Sequence, residues 1–247
     1  MVSQSRSGGN VAKKTNELRR DIEAILLTGQ ASVADNGDST AGKTAGLAAW
    51  IETNASHGSG GSSGGFNTST KVVDAPTNGE AQGLTMDGIR TQVENCYTAG
   101  SNPTVLTSVP AVTKAIGTFL LSSSGAPYRA APTANVSGTS PAAQTAQGYV
   151  DVIVTDFNVT LKIVPNRLQQ QYDDATTGTA ISVADVFIVD PEFVCLSYLY
   201  GYKVEDLAKL GLSDRKQVST DWMTKVFRED AHAIIRQVNP ATAVAAS

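Results

Sequence analysis

The spacing of apolar residues changes in blocks along this chain, and the order of the blocks constrains the fold more than any other feature. Spacings of three and four residues, typical of one helix face, mark residues 11–28 and the stretches that begin at Thr85 and Pro110. Runs of β-branched residues, typical of strands, dominate from residue 149 onward. Helices and strands in groups, rather than in a regular βαβ repeat, predict an α+β fold.

The clearest helix is predicted at residues 11–28, where Gly29 provides the stop signal. Four apolar residues share one face of it: Val11, Leu18, Ile22 and Ile25. The face is narrow and charged residues flank it, which indicates a helix that lies on another element rather than inside a core. A weaker helix is predicted at residues 45–54, and apolar spacing predicts a closing helix over residues 231–238.

Strands and loops alternate in the remaining sequence. Strands are predicted at residues 103–109, in a hairpin around Asp156 and Asn158, on both sides of the Asp190 turn, and at residues 218–226. Two long loops, residues 57–83 and 122–148, contain few apolar residues. Loops of this length are unusual in a compact domain, so we expect a neighbouring molecule to hold them.

Composition narrows the class of function. Charged residues make up 17% of the 247 residues, and the net charge is −4. A weakly charged surface of small polar residues suits contacts with other proteins, and the acidic balance gives no electrostatic drive for DNA binding. Cys96 and Cys195 have no partners at metal-site spacing and are expected in the core. No signal peptide or membrane-spanning segment is predicted.

The stretch from Gly37 to Thr44, GDSTAGKT, has the spelling of a phosphate-binding P-loop. A P-loop follows a buried strand and opens a helix, but the residues before Gly37 are polar and rich in turn formers. The strands VFIVD and VIVTD end in an acid, as a magnesium-binding strand does, although such endings are also common before turns. A P-loop nucleotide-binding hydrolase is therefore the alternative function, and a flexible glycine–threonine loop is the preferred interpretation.

No other catalytic, cofactor-binding or metal-binding constellation is predicted. His57 and His232 are too few for a multi-histidine metal site and are expected at the surface. Turn and cap roles explain the neighbouring carboxylates. These are Asp190 with Glu192, and Glu229 with Asp230. The chain is predicted not to be an enzyme.

Six segments occur in a characteristic order: ELRRDIEAILLTGQAS, AGLAAWIETNASHG, GSNPTVLTSVPAVTKAIGTF, VDVIVTDFNVTLKIVPNR, VFIVDPEFVCLSYLYGYKVEDLAKLG and DRKQVSTDWMTKVFREDAHAII. Together they resemble one family of tailed-bacteriophage major capsid proteins with the Hong Kong 97-type fold. The resemblance covers residues 18–238. It implies a spine helix at residues 11–28 in a peripheral domain formed by residues 1–84. Residues 85–200 then form an axial domain, and residues 201–247 return to the peripheral domain.

The resemblance also implies a function. Such a chain is a structural protein that self-assembles into the icosahedral head around the DNA genome. Its implied partners are copies of itself in hexameric and pentameric capsomers, the packaged double-stranded DNA by non-specific proximity, and scaffolding, portal or decoration proteins. The implied location is the virion, after assembly in the bacterial host cytoplasm.

One departure from the family concerns the start of the chain. Family members usually carry an N-terminal arm and an extended loop before the spine helix, whereas this sequence starts close to that helix. If those residues are truly absent, we expect this chain to form monomers or isolated capsomers rather than closed shells.

Overall fold

The computed structural model describes residues 2–121, 152–173, 182–211, 213–242 and 244–245. The helices in these ranges are α1 (Val2–Leu26), α2 (Leu47–Trp50), α3 (Met86–Thr98) and α4 (Pro110–Leu121), with a 3-10 turn at Glu229–Ala231. The strands are β1 (Ala55–Ser56), β2 (Gly65–Asn67), β3 (Val72–Asp74), β4 (Val105–Ser108), β5 (Val152–Val154), β6 (Thr160–Pro165), β7 (Tyr172–Asp173), β8 (Ser182–Val189), β9 (Val194–Leu210), β10 (Ser213–Val226) and β11 (Ala233–Val238). The fold is α+β, as predicted.

A seven-stranded sheet forms the centre of the described chain. Its strand order is β1-β11-β8-β4-β6-β5, and β7 pairs with β8 beside this path. The β1–β11 and β4–β6 pairs are parallel, and the other pairs are antiparallel. Strands β8 and β11 are buried on both faces, which explains the continuous apolar run in β8. Two smaller sheets pair β2 with β3 and β9 with β10.

Helices α3 and α4 cover one face of the seven-stranded sheet. Thr85 accepts the backbone N–H of Gly88 at 3.0 Å, and this cap begins α3 where the sequence predicts. Side chains of both helices meet the sheet in the largest buried cluster, for example Ile89, Ile116 and Leu161. Burying a side chain of this size contributes about 1.5–3 kcal/mol, so this cluster is the main source of stability.

Helix α2 and the end of α1 cover part of the other face. Leu27, Leu47 and Ile51 lie there against Phe187 and Ile234 in a second buried cluster. Phe187 and Ile234 are cross-strand partners in β8 and β11. The second cluster therefore lies over these two strands, and none of its members comes from β5 or β6.

Helix α1 confirms the helical pattern predicted from residue 11 but begins earlier, at Val2. Ile22 is only 4% exposed, while Leu18 and Ile25 are half-buried. The segment before Val11 is polar, so no apolar periodicity could reveal its helical structure.

The predicted closing helix is wrong, because Ala233–Val238 form strand β11. Gln237 adopts a φ of 55°, and the register with β8 shifts between Ile235 and Val238. This irregularity breaks the two-residue alternation of a regular strand. The apolar residues then fall at three- and four-residue spacings, which mimic a helix.

The loop predicted at residues 57–83 is held by its own chain, which corrects the expectation that a neighbouring molecule holds it. Gly79 donates its backbone N–H to the side chain of Gln237. A Cβ atom at Gly58 would lie 1.9 Å from the carbonyl oxygen of Glu80, so this close backbone approach requires glycine. The loop also contains the β2–β3 hairpin.

The remaining predictions of secondary structure have mixed outcomes. The strand at β4, the β5–β6 hairpin and the long strand β10 are confirmed. The helix predicted at residues 45–54 is limited to the four residues of α2. The predicted loop at residues 122–148 lies outside the described residues.

Candidate assembly surface

Strands β9 and β10 form a long antiparallel ribbon that leaves the seven-stranded sheet. β9 has 17 residues and β10 has 14. At about 3.3 Å per residue, β9 spans roughly 56 Å. The register pairs Val194 with Val226 at the base and Val204 with Val218 further out. We refer to β9 and β10 together as the ribbon.

The inner side of the ribbon packs on the rest of the chain. The two valines at its base join the second buried cluster. The guanidinium of Arg19 in α1 lies over the Tyr202 ring, 5.1 Å from its centroid. The hydroxyl of Thr44 accepts the backbone N–H of Thr224 at 3.0 Å. These contacts hold the ribbon against α1 and against the loop that precedes α2.

The outer face of the ribbon is open and partly apolar. Because side chains alternate along a strand, Met223 and Phe227 lie on the face opposite to buried Thr224. Met223 is 54% exposed and Phe227 is 55% exposed. Tyr200, which is also exposed, pairs with Asp221 in the register. We call this set the ribbon patch: Tyr200, Asp221, Met223, Lys225 and Phe227.

The ribbon has exposed apolar side chains and unpaired backbone groups that a bound partner would cover. A two-stranded sheet has little stability of its own, and its outer edges carry unpaired backbone groups. Leu199 lies where the register between the strands shifts, beside the ribbon patch, and is 83% exposed. Exposed apolar residues that lie together, rather than singly, mark surfaces that contact other proteins.

Asp190 fixes the turn from which the ribbon departs. Its carboxylate accepts the backbone N–H groups of Asn102 and Glu192, each at 3.1 Å, and the hydroxyl of Ser101 at 2.9 Å. The predicted turn role of Asp190 is confirmed. These hydrogen bonds hold the start of β9 in a fixed direction relative to β8.

The base of the ribbon is also fixed by three charged residues that follow β10. Arg228 donates to both carboxylate oxygens of Asp230, at 3.0 and 2.8 Å, and to the carbonyl that follows α3 at 2.6 Å. Glu229 accepts the backbone N–H groups of Glu52 and Thr53, each at 3.0 Å. The carboxylates of both acidic residues therefore serve local structure, as predicted.

His232 is fully buried, which corrects the prediction of a surface residue. Its Nδ1 accepts the backbone N–H of Asp190 at 3.3 Å, and its Nε2 has no hydrogen-bond partner. Burial lowers the pKa of His232, although the charges of Asp190, Glu229 and Asp230 act in the opposite direction. Ser101 lies close by, but its hydroxyl donates to Asp190 and not to the imidazole, so these side chains do not form a nucleophilic triad.

The two cysteines lie in different environments. Cys96 in α3 is buried, as predicted, and burial raises the pKa of its thiol to about 12. Cys195 in β9 is exposed, which corrects the prediction of a core residue. His57, expected at the surface, is half-buried, and burial lowers its pKa. Its Nε2 lies 2.9 Å from the hydroxyl of Ser63.

The stretch from Gly37 to Thr44 lacks the geometry of a P-loop. Within the described chain, only an isolated pairing of Val33 with Lys43 precedes α2, and no strand leads into the stretch. The side chain of Asn36 accepts the backbone N–H groups of residues 38–40, which a P-loop would direct at phosphate. The helix that follows has four residues. The nucleotide-binding alternative therefore loses its structural support.

Sequence reasoning identified the inner row of β10 and missed the outer one. The predicted alternation placed Trp222, Thr224 and Val226 on one side, and these residues are less exposed than their neighbours. The missed signal was the intervening row, where Met223 and Phe227 occupy positions that are normally polar on a solvent-facing strand.

Two further observations bear on the class of protein. The described ranges contain no group of three or more His, Cys, Asp or Glu side chains that could hold a metal ion. No helix within those ranges is long and apolar enough to cross a membrane.

Comparison with known proteins identifies the family. The family model described as SU10 major capsid protein matches residues 4–239, a range that includes the seven-stranded sheet and the ribbon. A search of curated proteins found no match. Because the family match covers nearly the whole chain, the protein belongs to the SU10 major capsid protein family, and its role is that of a structural, self-assembling subunit of a phage virion.

Proposed function

We propose that this subunit has the Hong Kong 97-type capsid fold, with α1 as the spine helix of the peripheral domain. The support for this assignment is the arrangement of α1 and the ribbon. One face of α1 is partly buried while Lys13 and Arg20 are exposed, and Arg19 contacts the ribbon at Tyr202. A long helix along a long ribbon suits a domain that forms the thin wall of a shell.

The proposed domains follow the resemblance found in the sequence. Residues 1–84 form the peripheral domain, residues 85–200 the axial domain, and residues 201–247 the return to the peripheral domain. β9 is continuous across residue 200, so this boundary falls within one strand of the ribbon.

We further propose that the subunits form hexameric and pentameric capsomers that close into an icosahedral head. The ribbon supports this proposal, because in an isolated subunit the side chains of Leu199, Met223 and Phe227 are exposed to water. Closed rings are built from heterologous contacts, in which one surface of each copy meets a different surface of the next. A ribbon that is fixed at its base and has an open outer face is suited to such a contact.

The proposed head encloses double-stranded DNA without sequence-specific contacts. The net charge of −4 supports this, because it gives the wall no electrostatic tendency to trap the genome. Scaffolding, portal or decoration proteins are further proposed partners. Assembly would take place in the cytoplasm of the bacterial host.

Size analysis of the purified chain tests the proposed self-assembly. Light scattering after gel filtration, over a concentration series, should detect species several times heavier than the 25.7 kDa subunit. Negative-stain microscopy of the same fractions should show rings or shells. If this chain and a version carrying a family-type N-terminal arm both remain monomeric at every concentration, up to about 1 mM, the proposal is contradicted, because weak contacts are populated at such concentrations.

A further inference from the structure

Among the described residues, one face of the seven-stranded sheet is left uncovered at the end formed by β5 and β6. On this face, the second buried cluster contacts β1, β8 and β11, and none of its members comes from β5 or β6. The register places Val152 opposite Lys162 and Val154 opposite Thr160, so these side chains share the uncovered face. Val154 is 57% exposed. We call the exposed set the sheet patch: Val152, Val154, Lys162 and Val164.

We propose that the ribbon patch of one copy packs on the sheet patch of the next copy. The inference rests on the proposed function, because it takes a second copy of this chain as the partner. Both patches are exposed, β-structured and partly apolar, and they belong to different sheets of the same subunit. Two different patches on one chain allow a head-to-tail contact that repeats around a ring.

One charge of each patch can pair with the other: Asp221 in the ribbon patch and Lys162 in the sheet patch. Lys225, the second charge of the ribbon patch, lies over the Phe227 ring, 4.6 Å from its centroid. Lys162 lies among the three valines of the sheet patch, and Asp221 lies between Tyr200 and Met223 in the ribbon patch. Both side chains are exposed, and neither has an ion-pair partner among the described residues of its own chain. Opposite charges at the centre of two apolar patches fix the orientation in which the patches meet.

The size of the contact indicates that it is weak by itself. The six residues of β6 span about 20 Å, and two paired strands are about 10 Å wide, so the sheet patch buries on the order of 200 Å². A standard stable interface buries about 800 Å² on each partner. The contact therefore depends on repetition, since each copy in a closed ring makes it twice.

Charge reversal tests the contact directly. In the Lys162→Glu variant, the sheet patch repels the ribbon patch of an identical copy, and in Asp221→Lys the ribbon patch repels the sheet patch. Each variant alone should need an about tenfold higher concentration for assembly than the unchanged chain, because like charges then face each other. A one-to-one mixture should recover assembly, because every contact between the two variants again pairs opposite charges. The double variant should recover assembly alone.

Apolar substitutions provide an independent test. Met223→Asp and Val164→Asp each place a charge in one patch and should reduce assembly by a similar factor. Val33→Asp is the matched control, since Val33 is 37% exposed, close to the 38% of Val164, but lies outside both patches. It should assemble like the unchanged chain. Circular dichroism melts of each variant report whether the monomer remains folded.

The outcomes separate this inference from the proposed function. If neither the unchanged chain nor a version carrying a family-type N-terminal arm ever assembles, both are wrong. If the unchanged chain assembles and the single variants assemble equally well, only the contact between the patches is wrong. The contact is also wrong if the mixture and the double variant stay unassembled, or if Val33→Asp loses assembly to the same extent.

Discussion

Replacing Ile22 with alanine should destabilise the protein, because Ile22 is the most deeply buried of residues 8–26 in α1. The side chain is only 4% exposed, while its neighbours Leu18 and Ile25 are half-buried. Deleting a buried isoleucine to alanine costs about 2–5 kcal/mol, and a helix on a surface can relax, which favours the lower half of that range. Alanine recovers about 0.4 kcal/mol through its higher helix propensity.

The net loss is therefore about 2–3 kcal/mol in the free energy of unfolding. For a chain of this length, 1 kcal/mol corresponds to about 2–4 °C in Tm, so Ile22→Ala should melt about 5–10 °C earlier. Ile22→Asp should melt earlier still, because it leaves an unpaired charge against the core. Thermal melts followed by circular dichroism, with urea titrations at 25 °C, measure both effects.

Arg20→Ala is the control for the Ile22 substitutions. Arg20 lies on the exposed side of α1, and exposed substitutions usually change stability by less than about 0.5 kcal/mol. If Ile22→Ala melts within about 1 °C of Arg20→Ala, α1 is not packed through Ile22 and the arrangement of helix and ribbon is wrong.

Three further predictions concern the buried network, the thiols and the loop at Gly37. The free energy of unfolding should fall as pH is lowered through the usual histidine pKa of 6.5 and below, because the folded state disfavours protonated His232, whereas the unfolded state accepts the proton. His232→Gln should weaken this pH dependence, which urea titrations measure. If the free energy of unfolding of His232→Gln changes with pH as steeply as that of the unchanged chain, the role of His232 is contradicted. An aromatic disulfide reagent should modify Cys195 quickly in the native protein and Cys96 only after unfolding, since burial raises the Cys96 pKa to about 12. If both thiols of the native protein react at the same rate, this prediction is wrong. A ligand that binds the native state raises Tm, and since we expect no nucleotide site, ATP with magnesium should leave Tm unchanged. A saturable increase in Tm that is lost in Lys43→Ala would restore the P-loop interpretation.

Local patterns predicted the elements whose neighbours are close in sequence, and failed where distant partners decide. The cap at Thr85 and the β5–β6 hairpin are local and were predicted correctly. The apolar spacing of β11 predicts a helix, because the side chains of this strand have partners far along the chain and leave no local sign of pairing. Arg236 lies 3.5 Å from the buried carboxylate of Asp185, and Gln237 accepts the N–H of Gly79. The spacing of residues within β11 does not indicate such distant partners. Its polar residues therefore fit the solvent-exposed face of a helix equally well.

The candidate surface was only half visible in the sequence for a related reason. The inner row of β10 was recognised because alternation is a local property. Whether the outer row faces water, its own chain or a second copy depends on where β9 and β10 lie relative to the seven-stranded sheet. That position is set by the Asp190 turn and by the Arg228–Asp230 pair, which act through residues as distant as Ser101.

The fixed base of the ribbon gives a physical reason why a weak contact can be sufficient for assembly. Association costs free energy when side chains and loops must become ordered at the interface. Here the base of the ribbon is held by hydrogen bonds beside both of its strands, and α1 holds its inner side, so less conformational freedom is lost when a second copy binds. Each contact can then remain small and reversible, which allows misplaced subunits to leave. Repetition around a closed ring supplies the affinity that a single patch does not.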